Sequence, residues 1–378
     1  MPEVYINKIA KFLPGKAIGN DEMENYLGYV KGKKSRAKNL ILRNNQIKTR
    51  YYAIDETGKS THSNAQLSYE AIKALEDSDF NRNQIDLLTC GTTTADHLLP
   101  SHASMVHGLL GTKNTEYLSA GGSCNAGMLA LKHAYLSILA DNKKNAVCTA
   151  SEKLSTRLQA KNFEEAAAKV DELEKQPMVA FEKDFLRWML SDGATACLLQ
   201  DKPNDTGVSL RIDWIEISSF AGENPVCMAA GAYRDEQDNY IPWADLDDRQ
   251  RSEHAVFALQ QDTVLLGERI VKLGTDFLEQ IIEKRGFDIT TVTKFLPHLS
   301  SMFFRKKIAE QLEKRQIPMP AEKWYINLPN VGNVGSASIF LMLEELLNEN
   351  LIEKGDKILL MVPESARFAY TFAFLTAV

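Results

Sequence analysis

Cys124 stands in SAGGSCNAGM, between a short apolar run and a long apolar-periodic stretch. A thiol at the start of a helix feels the positive end of the helix dipole, which favours the nucleophilic thiolate. Small residues on both sides leave room for a substrate or a second backbone. This position predicts a thiol pKa below its ordinary value and a nucleophilic role. An inert buried cysteine is the plainer alternative, and Cys90, Cys148 and Cys197 are expected to be such residues within their strand-like runs. His298 ends KFLPHLSS, at the strand edge where open α/β sheets place their sites. A singly hydrogen-bonded core histidine would look the same. His97, beside Asp96 in TTTADHLLP, ranks second. His62, His102, His107, His133 and His254 sit in helical or turn patterns with no partner motif. None has metal-ligand spacing. Asn333 lies in LPNVGNVGSAS, either as a plain turn residue or as an amide donor on a rigid turn. A cysteine hydrolase would need only the first two of these residues.

The elements that position them come in two copies of one design. From Cys124, CNAGMLALKHAYLSILADNKKNAVCTASE reads as small-residue turn, helix, polar link and strand. From Ser336, SASIFLMLEELLNENLIEKGDKILLMVPE reads the same way. Cys124 to Glu152 and Ser336 to Glu364 span equal lengths. Each copy follows another helix and strand, which predicts a duplicated β/α unit with strands buried between helices. Helices are expected over 20–30 (capped by Asn20), 62–79, 101–111, 124–141, 162–176, 254–284, 301–315 and 335–350. Strands are expected over 3–11, 85–91, 116–120, 145–151, 194–200, 208–219, 292–297 and 357–363. The turn-rich KPNDTG divides the chain into residues 1–205, carrying the cysteine and a charged helical insert at 158–189, and residues 206–378, carrying the histidine and the asparagine.

The 378 residues include 44 basic and 50 acidic side chains, a net charge of −6 that argues against nucleic acid as a partner. Hydrophobic residues at 44% suffice for a core without disulfides or metals. No stretch reads as a signal peptide or a membrane span. Five scattered cysteines read as reduced cytosolic thiols, so a cytoplasmic location is expected.

With these motifs in order, the chain resembles the β-ketoacyl-ACP synthase III-type condensing enzymes of the thiolase superfamily over nearly its whole length. The resemblance is carried by TTTADHLLPS, GGSCNAGMLAL, SDGATACLL, PHLSS and GNVGSAS. It implies an α/β thiolase fold of five layers, α/β/α/β/α, and a homodimer. It implies acylation of Cys124 by an acyl-CoA or acyl carrier protein thioester, with no cofactor and no metal. His298 and Asn333 would then hold the carbonyl oxygen of a second thioester, two neutral donors aimed at a developing oxyanion. The Cys124 amide would serve the other oxyanion.

The chain departs from the family pattern at the long segment 158–189 and at two motifs. The usual His-Gln-Ala-Asn reads His298-Leu299-Ser300-Ser301, so a supporting asparagine becomes Ser301. The usual glycine-rich loop reads VPESARF, leaving Ser365 or Ala366 to supply an amide. The loop, the insert, Glu152 in TASEK and Arg234 in GAYRDE resemble the ketosynthase/cyclases that make cyclohexanedione precursors of dialkylresorcinols and stilbenes. That likeness implies condensation followed by ring closure, with Glu152 and Arg234 as base and cation. A plain synthase without ring closure, or a non-catalytic partner subunit, is the alternative. Arg305 would meet a phosphopantetheine phosphate or an acid of the carrier protein, if it is more than a solvated helix charge.

Overall fold

Along the strand-forming segments, alternate side chains serve two different cores, which is why the sequence shows unbroken apolar runs there. The computed structural model describes residues 2–35, 37–163 and 185–378. Nine strands form one sheet: β1 (Tyr5–Phe12), β2 (Leu87–Thr92), β3 (Glu116–Gly121), β4 (Asn145–Glu152), β5 (Gly193–Gln200), β6 (Leu210–Ser219), β7 (Lys294–Pro297), β8 (Lys357–Glu364) and β9 (Ala369–Ala377). Their spatial order is β7-β8-β9-β6-β1-β5-β4-β2-β3.

The order repeats about the β1–β6 seam. Strands β2 and β4 pair in parallel, as do β7 and β8. Antiparallel β4–β5 and β5–β1 pairs match β8–β9 and β9–β6. The partner of β3 in the second set is reduced to a single parallel bridge between Phe295 and Trp324.

Six main helices cover the sheet: α1 (Asn64–Lys73), α2 (His102–Leu110), α3 (Ala126–Leu139), α4 (Thr263–Arg285), α5 (Phe303–Lys314) and α6 (Ser338–Asn348). Three apolar clusters separate them into layers. On β8, Ile358, Leu360 and Val362 join α3 and α6 in a central cluster, while Leu359 and Met361 join α4 and α5 outside it. Leu67 and Ile72 of α1 and Val106 of α2 cover Leu88 and Val147 on the other outer face. The result is the five-layered α/β/α/β/α thiolase arrangement.

Several boundaries differ from expectation. Strand β9 had no counterpart in the sequence reading, yet it lies inside the sheet between β8 and β6. The long helix begins at Thr263, where the Asp262 side chain accepts from the Leu265 amide, not at 254. The N-terminal helix is only Met23–Leu27, because Asn20 is spent on the Ile47 carbonyl and the Arg50 guanidinium. The expected helix at 162–176, from 164 onward, lies outside the described residues. No helix among the described residues is long and apolar enough to cross a membrane.

Candidate active site

Cys124 occupies the turn between β3 and α3, two residues before the helix begins. The helix can sit this low on the sheet because of two glycines. A Cβ on Gly91 of β2 would lie 2.4 Å from the Ala126 carbonyl oxygen, and one on Gly127 would lie 2.6 Å from the Ser336 carbonyl oxygen. Asn125 is tied to β9 through a hydrogen bond from the Thr371 hydroxyl.

The thiol does not have the low pKa expected of a helix start. Burial pushes it up to about 12, with the charges of Glu364 and Glu152 adding to the effect. Desolvation of a thiolate outweighs the helix end here. Cys124 therefore rests as a thiol and must shed its proton as a thioester approaches. Cys90, Cys148, Cys197 and Cys227 are buried.

His298 follows β7, and its backbone amide donates to Met361 on β8 at 2.8 Å. The residue is buried, and burial holds its imidazole at about 4, so the ring is neutral near pH 7. Nδ1 is enclosed without a hydrogen-bond partner among the described residues. Cys124 and His298 line one recess, together with Ser365.

Asn333 does not line that recess. It is buried in the turn before α6, and Gly332 beside it lines a second, smaller cavity with His298. Its backbone is pinned by bonds to Met189 and Ser191 (3.0 and 2.9 Å), and its Oδ1 accepts from the Gly335 amide at 2.9 Å. The Nδ2 group makes no hydrogen bond among the described residues, which leaves a donor on a rigid turn.

Glu152 is fully buried at the end of β4. Its carboxylate accepts from the Thr93 amide and hydroxyl (3.0 and 2.8 Å), the Thr94 hydroxyl (2.8 Å) and the Ser336 hydroxyl (2.7 Å). Burial raises its pKa against these donors. The side chain thus links the loop after β2 to the turn before α6.

Arg234 stands on an exposed hairpin, paired with Asp238 at 3.0 Å, and does not line the recess. The short loop between the hairpin strands brings Asp238 back beside the guanidinium, which satisfies it locally. Ser301 makes no hydrogen bond to His298 among the described residues. Its hydroxyl reaches the Asn44 carbonyl at 3.4 Å and accepts from the Phe303 amide at 3.3 Å, starting α5. Ser365 does line the recess. The Ala366 amide is spent on Glu364 at 2.8 Å, which leaves Ser365 as the amide donor of that loop. Arg305 is exposed on α5 with its guanidinium 5.9 Å from the Trp324 ring centre. His97 is exposed and apart from the recess.

Three residues escaped the sequence reading. Glu364 raises the thiol of Cys124 through its charge. Asp192, in the SDGA motif, is buried and accepts from the amides of Ala53, Leu154 and Ser155. Arg157, beyond β4, lines another recess with Lys161, Trp243 and Phe257 and feels the charge of Glu152. Its guanidinium makes no ion pair or hydrogen bond among the described residues. Its position five residues past the TASE strand end was a usable signal.

Residues 282–363 match the family described as 3-oxoacyl-[acyl-carrier-protein (ACP)] synthase III C terminal. The β-ketoacyl-[acyl-carrier-protein] synthase III of Clostridium perfringens is 27% identical over 320 residues, 83% of each chain. That of Clostridium acetobutylicum is 23% identical over 365 residues, 96% of this chain and 95% of the relative. Among solved structures, AbyA1, a tetronic acid condensing enzyme, superposes with a TM-score of 0.74 at 19% identity, covering 99% of both chains. OleA of Xanthomonas campestris, solved with bound lauric acid and lauroyl-CoA, gives 0.72 at 18% identity, again over 99% of both. By its fold throughout and its sequence at 282–363, the chain is similar to the 3-oxoacyl-ACP synthase III condensing enzymes.

Proposed function

We propose that the protein joins two acyl thioesters by Claisen condensation through an acyl group on Cys124. The observation that carries this reading is the shared recess of a helix-start cysteine and a neutral buried histidine. The Cys124 sulfur attacks the first thioester, and the CoA or carrier thiol leaves with the proton. The second thioester loses carbon dioxide or an α-proton to become an enolate. His298 and Asn333 donate hydrogen bonds to its oxygen, each such donor being worth a few kcal/mol in a dry site. The enolate attacks the acyl carbonyl, whose oxyanion meets the Cys124 and Ser365 amides, and Cys124 leaves as thiolate.

The recess around Arg157 suits the phosphate end of CoA or phosphopantetheine, since a half-buried, unpaired guanidinium binds phosphate well. The substrates are acyl-CoA, acyl carrier protein or both, with Arg305 available to the carrier, and no further cofactor takes part. The five scattered cysteines fit a reducing cytosol.

The finer part of this reading is ring closure to a cyclohexanedione. It rests on the VPESARF loop, whose Ser365 enters the recess, and on Glu152 behind the nucleophile. Arg234 has no part in it, being held in its hairpin. A homodimer belongs to the same reading. Strand β3 ends the sheet with a largely exposed edge, and Leu109, Tyr117, Leu129 and Leu136 near it are exposed.

Intact-mass analysis after mixing the enzyme with an acyl-CoA and a β-ketoacyl-CoA tests the whole reading. An acyl adduct on Cys124 and a condensed product are expected, the product a ring rather than a chain if closure follows. Linear products alone would leave a plain synthase, and Cys124→Ala labelled as fully as wild type would end the proposal.

A further inference from the structure

The two halves of the chain carry a glutamate at equivalent points. Strands β4 and β8 each have eight residues, and they end on Glu152 and Glu364. The helices before those strands, α3 and α6, start two residues after Cys124 and two residues after Ser336. Cys124 and Ser336 are therefore counterparts, as are Glu152 and Glu364. One crossing between the halves is visible as bonds: Glu152 accepts from the Ser336 amide at 3.3 Å and its hydroxyl at 2.7 Å. The same crossing in the other direction carries Glu364 toward Cys124. The charges agree with it. Burial raises the Cys124 thiol, and Glu364 adds more to that rise than Glu152 does. Glu152 is occupied by Thr93, Thr94 and Ser336. Glu364 is half-buried, and its bonds among the described residues come from two backbone amides, Ala366 at 2.8 Å and Arg367 at 3.4 Å. The Arg367 guanidinium turns instead to the Asn224 carbonyl. A carboxylate with spare lone pairs near a protonated thiol can take its proton.

We infer that Glu364 accepts the Cys124 proton when the thiol is acylated and returns it to the departing thiol. This step rests on the condensing reading above and deepens it at the loading stage. As the Cys124 sulfur bonds to the thioester carbonyl carbon, its proton passes to the Glu364 carboxylate and the carbonyl π pair moves onto oxygen. When that pair returns, the bond to the CoA sulfur breaks, and the Glu364 carboxylic acid protonates the departing thiolate. Glu364 ends as it began, and Cys124 carries the acyl group. A thiol pushed up to about 12 exposes little thiolate near pH 7, so loading there depends on a base. A positioned base contributes about 10²- to 10⁴-fold. The glycines usual in this loop carry no such group.

The test compares two reactions of Cys124 in the whole enzyme: single-turnover loading from acetyl-, butyryl- or octanoyl-CoA, read by quenched intact mass, and alkylation by iodoacetamide. Alkylation consumes thiolate that is already formed, so in wild type it should rise about 100-fold from pH 6.5 to 8.5. Loading should change less than about threefold over that range, because the carboxylate rather than hydroxide removes the proton. Glu364→Gln keeps an acceptor for the loop amide and removes the base. Its loading at pH 7 should fall at least about 100-fold and acquire a tenfold slope per pH unit. Its alkylation at pH 7 should instead rise at least about threefold, since a negative charge near the sulfur has gone. Loading in the variant within threefold of wild type, or a fall matched by an equal fall in alkylation, would overturn the inference. So would wild-type loading that climbs tenfold per pH unit alongside alkylation, a measurement that needs no variant. A wild type that takes no acyl group from any of the three thioesters would instead remove the condensing reading itself.

Discussion

Cys124 and His298 are both neutral at rest, and that combination sets the site's pH behaviour. A thiol at about 12 exposes a thiolate fraction that grows tenfold per pH unit through the neutral range. Iodoacetamide alkylation of Cys124 should therefore rise about tenfold per unit from pH 7 to 10, followed by peptide mass. A plateau by pH 8 would mean the helix end outweighs burial after all. His298 should matter after loading: His298→Ala still acquires an acyl adduct, while condensation falls about 10²-fold, the scale of one lost oxyanion donor. His298 and His102 are both held at about 4 in the folded protein, against about 6.5 in the unfolded chain. Between those values the unfolded state binds more protons, so stability falls as the pH drops from 6.5 toward 4. Each histidine contributes about 3 kcal/mol to that loss. In urea titrations, His298→Gln should flatten the fall without abolishing it.

At the scale of elements, the nucleophile turn depends on how closely α3 and the start of α6 approach. Gly127 touches the Ser336 backbone, the Phe340 ring and Ala150, so an added methyl has no place to go. Gly127→Ala should cost about 2 kcal/mol, as overpacking does, and shift the urea midpoint accordingly. Gly108, in α2, meets nothing within 4 Å. There the same change should be neutral or stabilising, because alanine loses less backbone freedom in a helix. The Glu152 carboxylate works at this scale too, joining the loop after β2 to the turn before α6 through Ser336.

For the whole molecule, the open question is the sheet edge. A nine-stranded sheet that ends on an exposed β3, with exposed leucines on α2 and α3 beside it, invites a second copy to pair there. Light scattering at micromolar concentration should give twice the 42.4 kDa of one chain. Tyr117→Lys combined with Leu136→Glu should shift that mass toward the monomer. A monomeric wild type would remove the dimer from the reading.

The sequence alone determined the repeating helix–strand order, because apolar period and small-residue turns are local signals. It also marked Cys124, His298 and Asn333, because each sits where such a pattern breaks. It missed β9, whose apolar run follows VPESARF so closely that the hairpin is visible only once β8 has a partner. It also misjudged the Cys124 thiol. The helix dipole can be read from neighbours in the chain, but burial and the charges of Glu364 and Glu152 come from strands far away in sequence. Arg234 and Arg157 make the same point in opposite directions. Both are arginines near motif ends, and only packing decided which one is satisfied by a neighbouring aspartate and which is left without a partner in a recess. Local chemistry fixes elements and candidate residues, whereas desolvation and pairing are sums over distant contacts and exist only in the folded chain.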